Sequence, residues 1–191
     1  MTEREKMLSG QLYCADEPEL NAARHRDDLL CRQLNALPMA ETELRMEVLR
    51  QLLGKVGKNC AINPQFRCDY GSYIQVGENF FANYNCVILD CAPVTFGDNV
   101  FIAPNCGFYT AGHPLDYPTR NAMLEFAKPI TVGDNVWIGG NVVVLPGVTI
   151  GSGSVIGAGS VVSRDIPENV LAVGNPCRPI RSINPEDRRM L

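Results

Sequence analysis

The sequence predicts a mainly β chain: a parallel β-helix of short repeats, preceded by a helical subdomain and interrupted by one extended loop. Three observations carry that expectation. From Ile130 onward, triplets with apolar or small first and third residues recur at a spacing of six: Ile130-Thr131-Val132, Val136-Trp137-Ile138, Val142-Val143-Val144, Val148-Thr149-Ile150, Ser154-Val155-Ile156 and Ser160-Val161-Val162. Turn residues stand between them, among them Gly133-Asp134-Asn135, Gly139-Gly140-Asn141 and Gly157-Ala158-Gly159, types that suit the positive φ of tight corners. Before Gly54 the apolar residues fall at helical spacing instead.

Residues 1–54 read as the helical subdomain, with Leu29, Leu30 and Leu34, then Leu44, Val48, Leu49, Leu52 and Leu53, broken by Pro18 and Pro38 and ended by Gly54. Residues 55–167 read as the β-helix, its coils running from about Val56 to Ile166. Side chains of a strand alternate faces, so first and third residues of each triplet point inward and the middle one outward. With three triplets per coil, Trp137 stacks on Val155, Val143 on Val161 and Thr131 on Thr149. The triplets Val94-Thr95-Phe96 and Val100-Phe101-Ile102, and more weakly Phe80-Phe81-Ala82 and Cys86-Val87-Ile88, continue the pattern upstream. Two outer faces are then apolar and one polar, which predicts a closed homotrimer; the alternative is that helices of the same chain cover those faces. The repeat lapses in a loop over 109–129, and 168–191 reads as an irregular tail against the prism end.

Composition excludes several function classes. Among 191 residues, 17 Lys and Arg against 21 Asp and Glu give a net charge of -4, so no general basic field exists to hold nucleic acid. No stretch approaches the roughly 18 apolar residues of a membrane span, and a cytoplasmic location is the default expectation. Eight cysteines show no CxxC pair and no ligand-like spacing, which predicts reduced, packed thiols and no metal site. Only two histidines are present, His25 and His113. His25 lies among Arg24, Arg26, Asp27 and Asp28 and reads as part of a solvated helix face. His113 lies in the loop, where a structural role and a catalytic one are both open from spacing alone.

The repeats, the excursion Thr110-Ala111-Gly112-His113-Pro114-Leu115-Asp116, the segment Phe66-Arg67-Cys68-Asp69-Tyr70-Gly71 and the start Met1-Thr2-Glu3-Arg4-Glu5-Lys6-Met7-Leu8-Ser9-Gly10 closely resemble the maltose and galactoside O-acetyltransferases, over essentially the whole chain. The resemblance implies a left-handed coil, acetyl-CoA as co-substrate and a small sugar acceptor, with sites between the subunits of a trimer. By position it makes His113 the general base and puts Asn83 beside the reacting centre. Asp16, Arg24, Asp69, Phe81, Cys91 and Glu125 are the matching acceptor positions. Trp137, Gly139, Gly140, Ala158, Ser163, Arg164, Arg178 and Arg181 match the coenzyme positions, though Trp137 as a trimer contact and the arginines as a solvated tail remain open. Positions 69, 81, 91 and 125 depart from the galactoside type, which carries Ser, Tyr, Asp and Met there; Asp69 and Glu125 agree with the maltose type. The expected function is therefore acetyl transfer to a maltose- or glucose-like hydroxyl. The alternatives are a galactoside or another small acceptor on the same scaffold, or a non-catalytic β-helix. A γ-class carbonic anhydrase also uses such a prism, but its zinc takes three histidines, more than this chain has.

Overall fold

The computed structural model describes residues 1–188; the last three positions of the tail 168–191 lie outside them. Three helices come first. In α1 (Glu3–Leu8) the Thr2 hydroxyl accepts the Glu5 N–H while the Glu5 carboxylate accepts the Thr2 N–H, a reciprocal cap on two free donors. Pro18 opens α2 (Pro18–Ala36) at a position where its missing N–H costs nothing, so it starts this helix instead of breaking one. With α3 (Thr42–Leu52), α2 buries Cys31, Leu34, Val48, Leu49 and Leu52 in the same core as the first prism strands, whereas Leu29 and Leu44 face solvent.

The prism has three parallel faces, and its register is the expected one. Thr131 pairs with Thr149, Trp137 with Val155 and Val143 with Val161. The first face stacks the strands Lys55–Val56, Ile74–Val76, Val94–Phe96, Ile130–Val132 and Thr149–Ile150, and presents Gln75, Thr95, Thr131 and Thr149 outward. On the second, Phe81, Phe101, Trp137, Val155 and Leu171 form one outward apolar row. The third, from Arg67–Cys68 to Val161–Val162, shows Val87, Val143 and Val161. Inside, Phe80, Phe96 and Phe108 stack in tilted and edge-on contacts at centroid distances of 5.0 Å, within the favoured range for aromatic pairs.

The corners take positive φ at turn residues as expected, on glycine at Gly147, Gly153 and Gly159 and on asparagine earlier in the chain. At Gly133-Asp134-Asn135 and Gly139-Gly140-Asn141 the positive φ belongs to Asn135 (58°) and Asn141 (59°), not to the glycines. Asparagine tolerates this region, and stacked asparagines add a ladder in which Asn59, Asn79 and Asn99 each donate an amide N–H to the next, ending on Asn135. The glycines serve the stacking: a Cβ on Gly97 or Gly133 would overlap the coil above.

Two further expectations are corrected. The tail is not irregular: Val170–Val173 adds a parallel strand to the second face, Leu171 on Val155, and Arg178–Ser182 returns antiparallel to it. The excursion over 109–129, expected as an ordered loop without regular structure, is a hairpin, Ala111–Gly112 against Leu124–Ala127, with α4 (Tyr117–Asn121) near its tip. Tyr13–Cys14 joins as a third antiparallel strand, Tyr13 opposite Glu125, so the N-terminal subdomain is stitched to the excursion. Among the described residues no helix is long and apolar enough to cross a membrane.

Candidate active site

His113 follows the strand Ala111–Gly112, and its ring is anchored from the opposite strand: Nδ1 lies 3.2 Å from the Leu124 carbonyl oxygen. A carbonyl only accepts, so Nδ1 carries the proton and the neutral ring keeps its lone pair on Nε2. Nε2 stands 3.7 Å from Glu125 Oε1. Asp116, adjacent in sequence, does not orient the ring; its carboxylate caps α4, accepting from the backbone N–H and the hydroxyl of Thr119.

The ring opens on a cleft of about 460 Å³, and Asp16, Arg24, Asp69, Cys91 and Glu125 line it with His113. Residues from the subdomain, the first and second coils and the hairpin thus meet at one place. Arg24 is pre-positioned by α2: its guanidinium donates to the Tyr70 hydroxyl (2.6 Å) and to the Ala15 carbonyl (2.6 Å), fixing the turn that carries Asp16. The Cys91 thiol donates to Asp69 Oδ2 at 3.4 Å. Burial pushes the Asp69 carboxyl above its ordinary range, with the Cys91 hydrogen bond and the Arg24 charge acting against it. Burial likewise raises the Cys91 thiol, so it remains a protonated donor. Beneath them the fully buried Asp90 carboxylate accepts the backbone N–H groups of Asp69, Tyr70 and Tyr73, which fixes the turn presenting Asp69; its own burial pushes it up to about 6.

Phe81 and Asn83 do not line this cleft. Phe81 stands in the outward row of the second face, below Phe101 and Trp137. Asn83 sits at the corner that follows, its Oδ1 accepting from the Asn63 amide and the Tyr84 N–H. Gly139, Gly140 and Ala158 occupy the same corner in later coils, as the backbone bonds from Asn83 to Ile102, Ala103 to Ile138 and Gly139 to Ile156 show. Trp137 is 55% exposed beside that edge. Gly139 is required by stacking, since a Cβ there would lie 2.6 Å from the Ala158 nitrogen; Gly140 would meet nothing nearer than 3.4 Å, and Gly159 nothing within 4 Å. Ser163 and Arg164 are exposed at the next corner, past the third face. Arg178 and Arg181 are exposed on the added strand, and Arg181 holds Asp187 through two hydrogen bonds of 2.6 and 2.8 Å. Within one chain, then, the histidine cleft and the tryptophan edge lie on different sides of the prism. Among the described residues no group of three or more His, Cys, Asp or Glu is placed to hold a metal ion.

The sequence reading missed Tyr13, Tyr109, Leu89 and Met123. The last three line the cleft, and Tyr13 lies behind it. Tyr13 is paired with a strand more than a hundred residues away, a relationship that local patterning does not encode.

Residues 6–57 match the model of the maltose acetyltransferase hexapeptide capping motif, and 129–164 match six repeats of the bacterial transferase hexapeptide. The crystal structure of a maltose O-acetyltransferase from Clostridium difficile 630 is 53% identical, covering 96% of this chain and 98% of its own, with a TM-score of 0.95. A galactoside acetyltransferase in complex with coenzyme A is 43% identical over all of this chain and 95% of its own, also with a TM-score of 0.95. The galactoside O-acetyltransferase of Escherichia coli (strain K12) is 44% identical, with 98% of this chain and 92% of the relative covered. A shared capping motif, shared repeats and identity over nearly the full length leave one conclusion: the chain belongs to the maltose and galactoside O-acetyltransferase family of hexapeptide-repeat acetyltransferases.

Proposed function

We propose that this protein transfers the acetyl group of acetyl-CoA directly to a hydroxyl of a glucose- or maltose-like sugar, with His113 as general base. One observation carries the reading: a histidine whose Nδ1 is occupied by the Leu124 carbonyl turns Nε2 into a cleft walled by Asp16, Asp69, Glu125 and Arg24. Carboxylates and a guanidinium suit the hydroxyls of a polyol, and an alcohol needs a base at the moment it attacks. Acetyl-CoA supplies the thioester. The acceptor oxygen bonds to the acetyl carbon as its proton passes to Nε2; the carbon–sulfur bond breaks, and the proton returns from the imidazolium to the departing thiolate. No acyl-enzyme is needed. Asn83 offers its amide to the developing oxyanion.

Trp137 and the open corner at Gly140, Ala158 and Gly159 would take the pantetheine arm, and Ser163, Arg164, Arg178 and Arg181 the anionic end. Because His113 and that edge lie on different sides of one prism, the complete site calls for a second copy, which favours a closed homotrimer whose apolar faces meet. The glucosyl preference draws support from Asp69 and Glu125, and from the 53% identity to the maltose enzyme against 43% to the galactoside enzyme.

The test is coenzyme A release, followed with a thiol reagent, for glucose, maltose, galactosides and aminoglycosides, beside His113→Ala. Glucosyl acceptors rank first, and His113→Ala loses roughly 10²- to 10⁴-fold in kcat, the usual worth of general-base assistance, while retaining coenzyme A binding. Turnover by His113→Ala at the parent rate overturns the mechanism; a higher kcat/KM for galactosides overturns the acceptor.

A further inference from the structure

Tyr13 has no part in the transfer described above, yet it is a wholly buried phenol of the N-terminal subdomain whose hydroxyl ends directly behind the cleft, on Glu125 of its wall. Its hydroxyl donates to Glu125 Oε2 at 2.9 Å and lies against the Cys91 thiol. Cys91 in turn donates to Asp69. A polar chain therefore runs behind the cleft from Asp69 through Cys91, Tyr13 and Glu125 to His113, joining its two walls. We propose that Tyr13 is the positioning residue of the acceptor site: it holds the Glu125 carboxylate by one oxygen so that the other is offered to the acceptor beside His113 Nε2.

The argument rests on three features. Tyr13 and Glu125 are opposed in the antiparallel pairing, so both side chains leave the ribbon on the same side and meet without a long reach. Burial and the neighbouring thiol and carboxylate push the phenol well above its ordinary range, so it remains a donor at every working pH. The 3.7 Å between Nε2 and Oε1 is too long for a direct hydrogen bond. Two acceptors so spaced fit two neighbouring hydroxyls of one sugar, one losing its proton to Nε2 and the other donating to Oε1. A carboxylate freed from Tyr13 would turn away from that arrangement, and small misplacements of a positioning group cost large factors in rate.

This rests on the function proposed above, and the test separates the two. Acceptor kinetics are measured for Tyr13→Phe, Glu125→Gln and the double variant. Each single variant loses at least about tenfold in acceptor kcat/KM with an unchanged KM for acetyl-CoA, and the double loses no more than the worse single, because Tyr13 acts through Glu125. Replacing Tyr13 by 4-aminophenylalanine, which retains a donor at the same place, restores most of the activity. Losses that multiply, a Phe variant equal to the parent, or an aminophenylalanine variant as impaired as the Phe variant each overturn the proposal. The NMR signals of the His113 ring need no substrate: they move in Tyr13→Phe in the same sense as in Glu125→Gln, while those of His25 stay. Absence of that movement overturns the role of Tyr13 even if no sugar were turned over, an outcome that would by itself sink only the proposed function.

Discussion

His113 Nδ1 faces the Leu124 carbonyl oxygen at 3.2 Å, so the strand that closes the hairpin sets the tautomer of the proposed base. The expected outcome is directly observable. In ¹⁵N spectra of the neutral protein, Nδ1 of His113 has the shift of a protonated ring nitrogen and Nε2 that of a bare one. The opposite assignment would point the lone pair at the backbone and leave nothing to accept the acceptor's proton.

Trp137 stands outward between Phe101 and Val155, more than half exposed, and makes no part of the core. Trp137→Ala should leave the melting temperature of the isolated fold almost unchanged, since exposed truncations are usually within ±0.5 kcal/mol. The KM for acetyl-CoA should rise about tenfold with kcat nearly retained. A change in sedimentation behaviour with no change in KM would assign the residue to subunit contact instead.

The corners offer a paired test of why small residues stand there. Gly97→Ala puts a methyl into Asp134 of the next coil, and overpacking of this kind costs about 1–3 kcal/mol. Gly159→Ala meets no neighbour, although its φ of 73° carries a milder penalty of roughly 1 kcal/mol. Thermal denaturation should therefore rank Gly97→Ala below Gly159→Ala.

Arg45 is buried with no carboxylate partner among the described residues; its guanidinium donates to the carbonyls of Leu34 and Leu37 at 2.8 Å and of Ile62 at 2.6 Å. It thereby ties the end of α2 to the prism, and burial lowers its pKa from the ordinary arginine range. Arg45→Met strands three carbonyls, an expected loss of about 3 kcal/mol at roughly 1 kcal/mol for each hydrogen bond. Arg45→Lys recovers only part of that, because an ammonium lacks the planar fork. Urea denaturation of the three proteins checks the order.

Asp187 is held at about 2 by the guanidinium of Arg181. The folded value lies below that of a free aspartate, so the ion pair stabilises the turn Pro185–Arg188 above about pH 4 and is lost as the pH falls toward 2. The amide signal of Asn184, whose N–H is accepted by Asp187 Oδ2, should follow that transition. In Asp187→Asn the signal should be insensitive over the same range.

Local pattern determined much of this protein. A spacing of six and an alternation of two placed Trp137 on Val155 and Thr131 on Thr149, because strand geometry converts sequence position into face and coil with no long-range information. The same logic identified the excursion bearing His113, since a stacked repeat makes its own interruption visible. Tertiary structure alone decided which groups share the cleft. Tyr13 meets Glu125 across 112 positions, and Arg24, Asp69 and Cys91 converge from a helix and two coils. Such contacts depend on how a subdomain docks on the prism, and docking is set by complementary surfaces rather than by any period in the chain. The same reason applies to the tail, whose strand formed because the open edge of the last coil offered unpaired backbone groups to Val170–Val173.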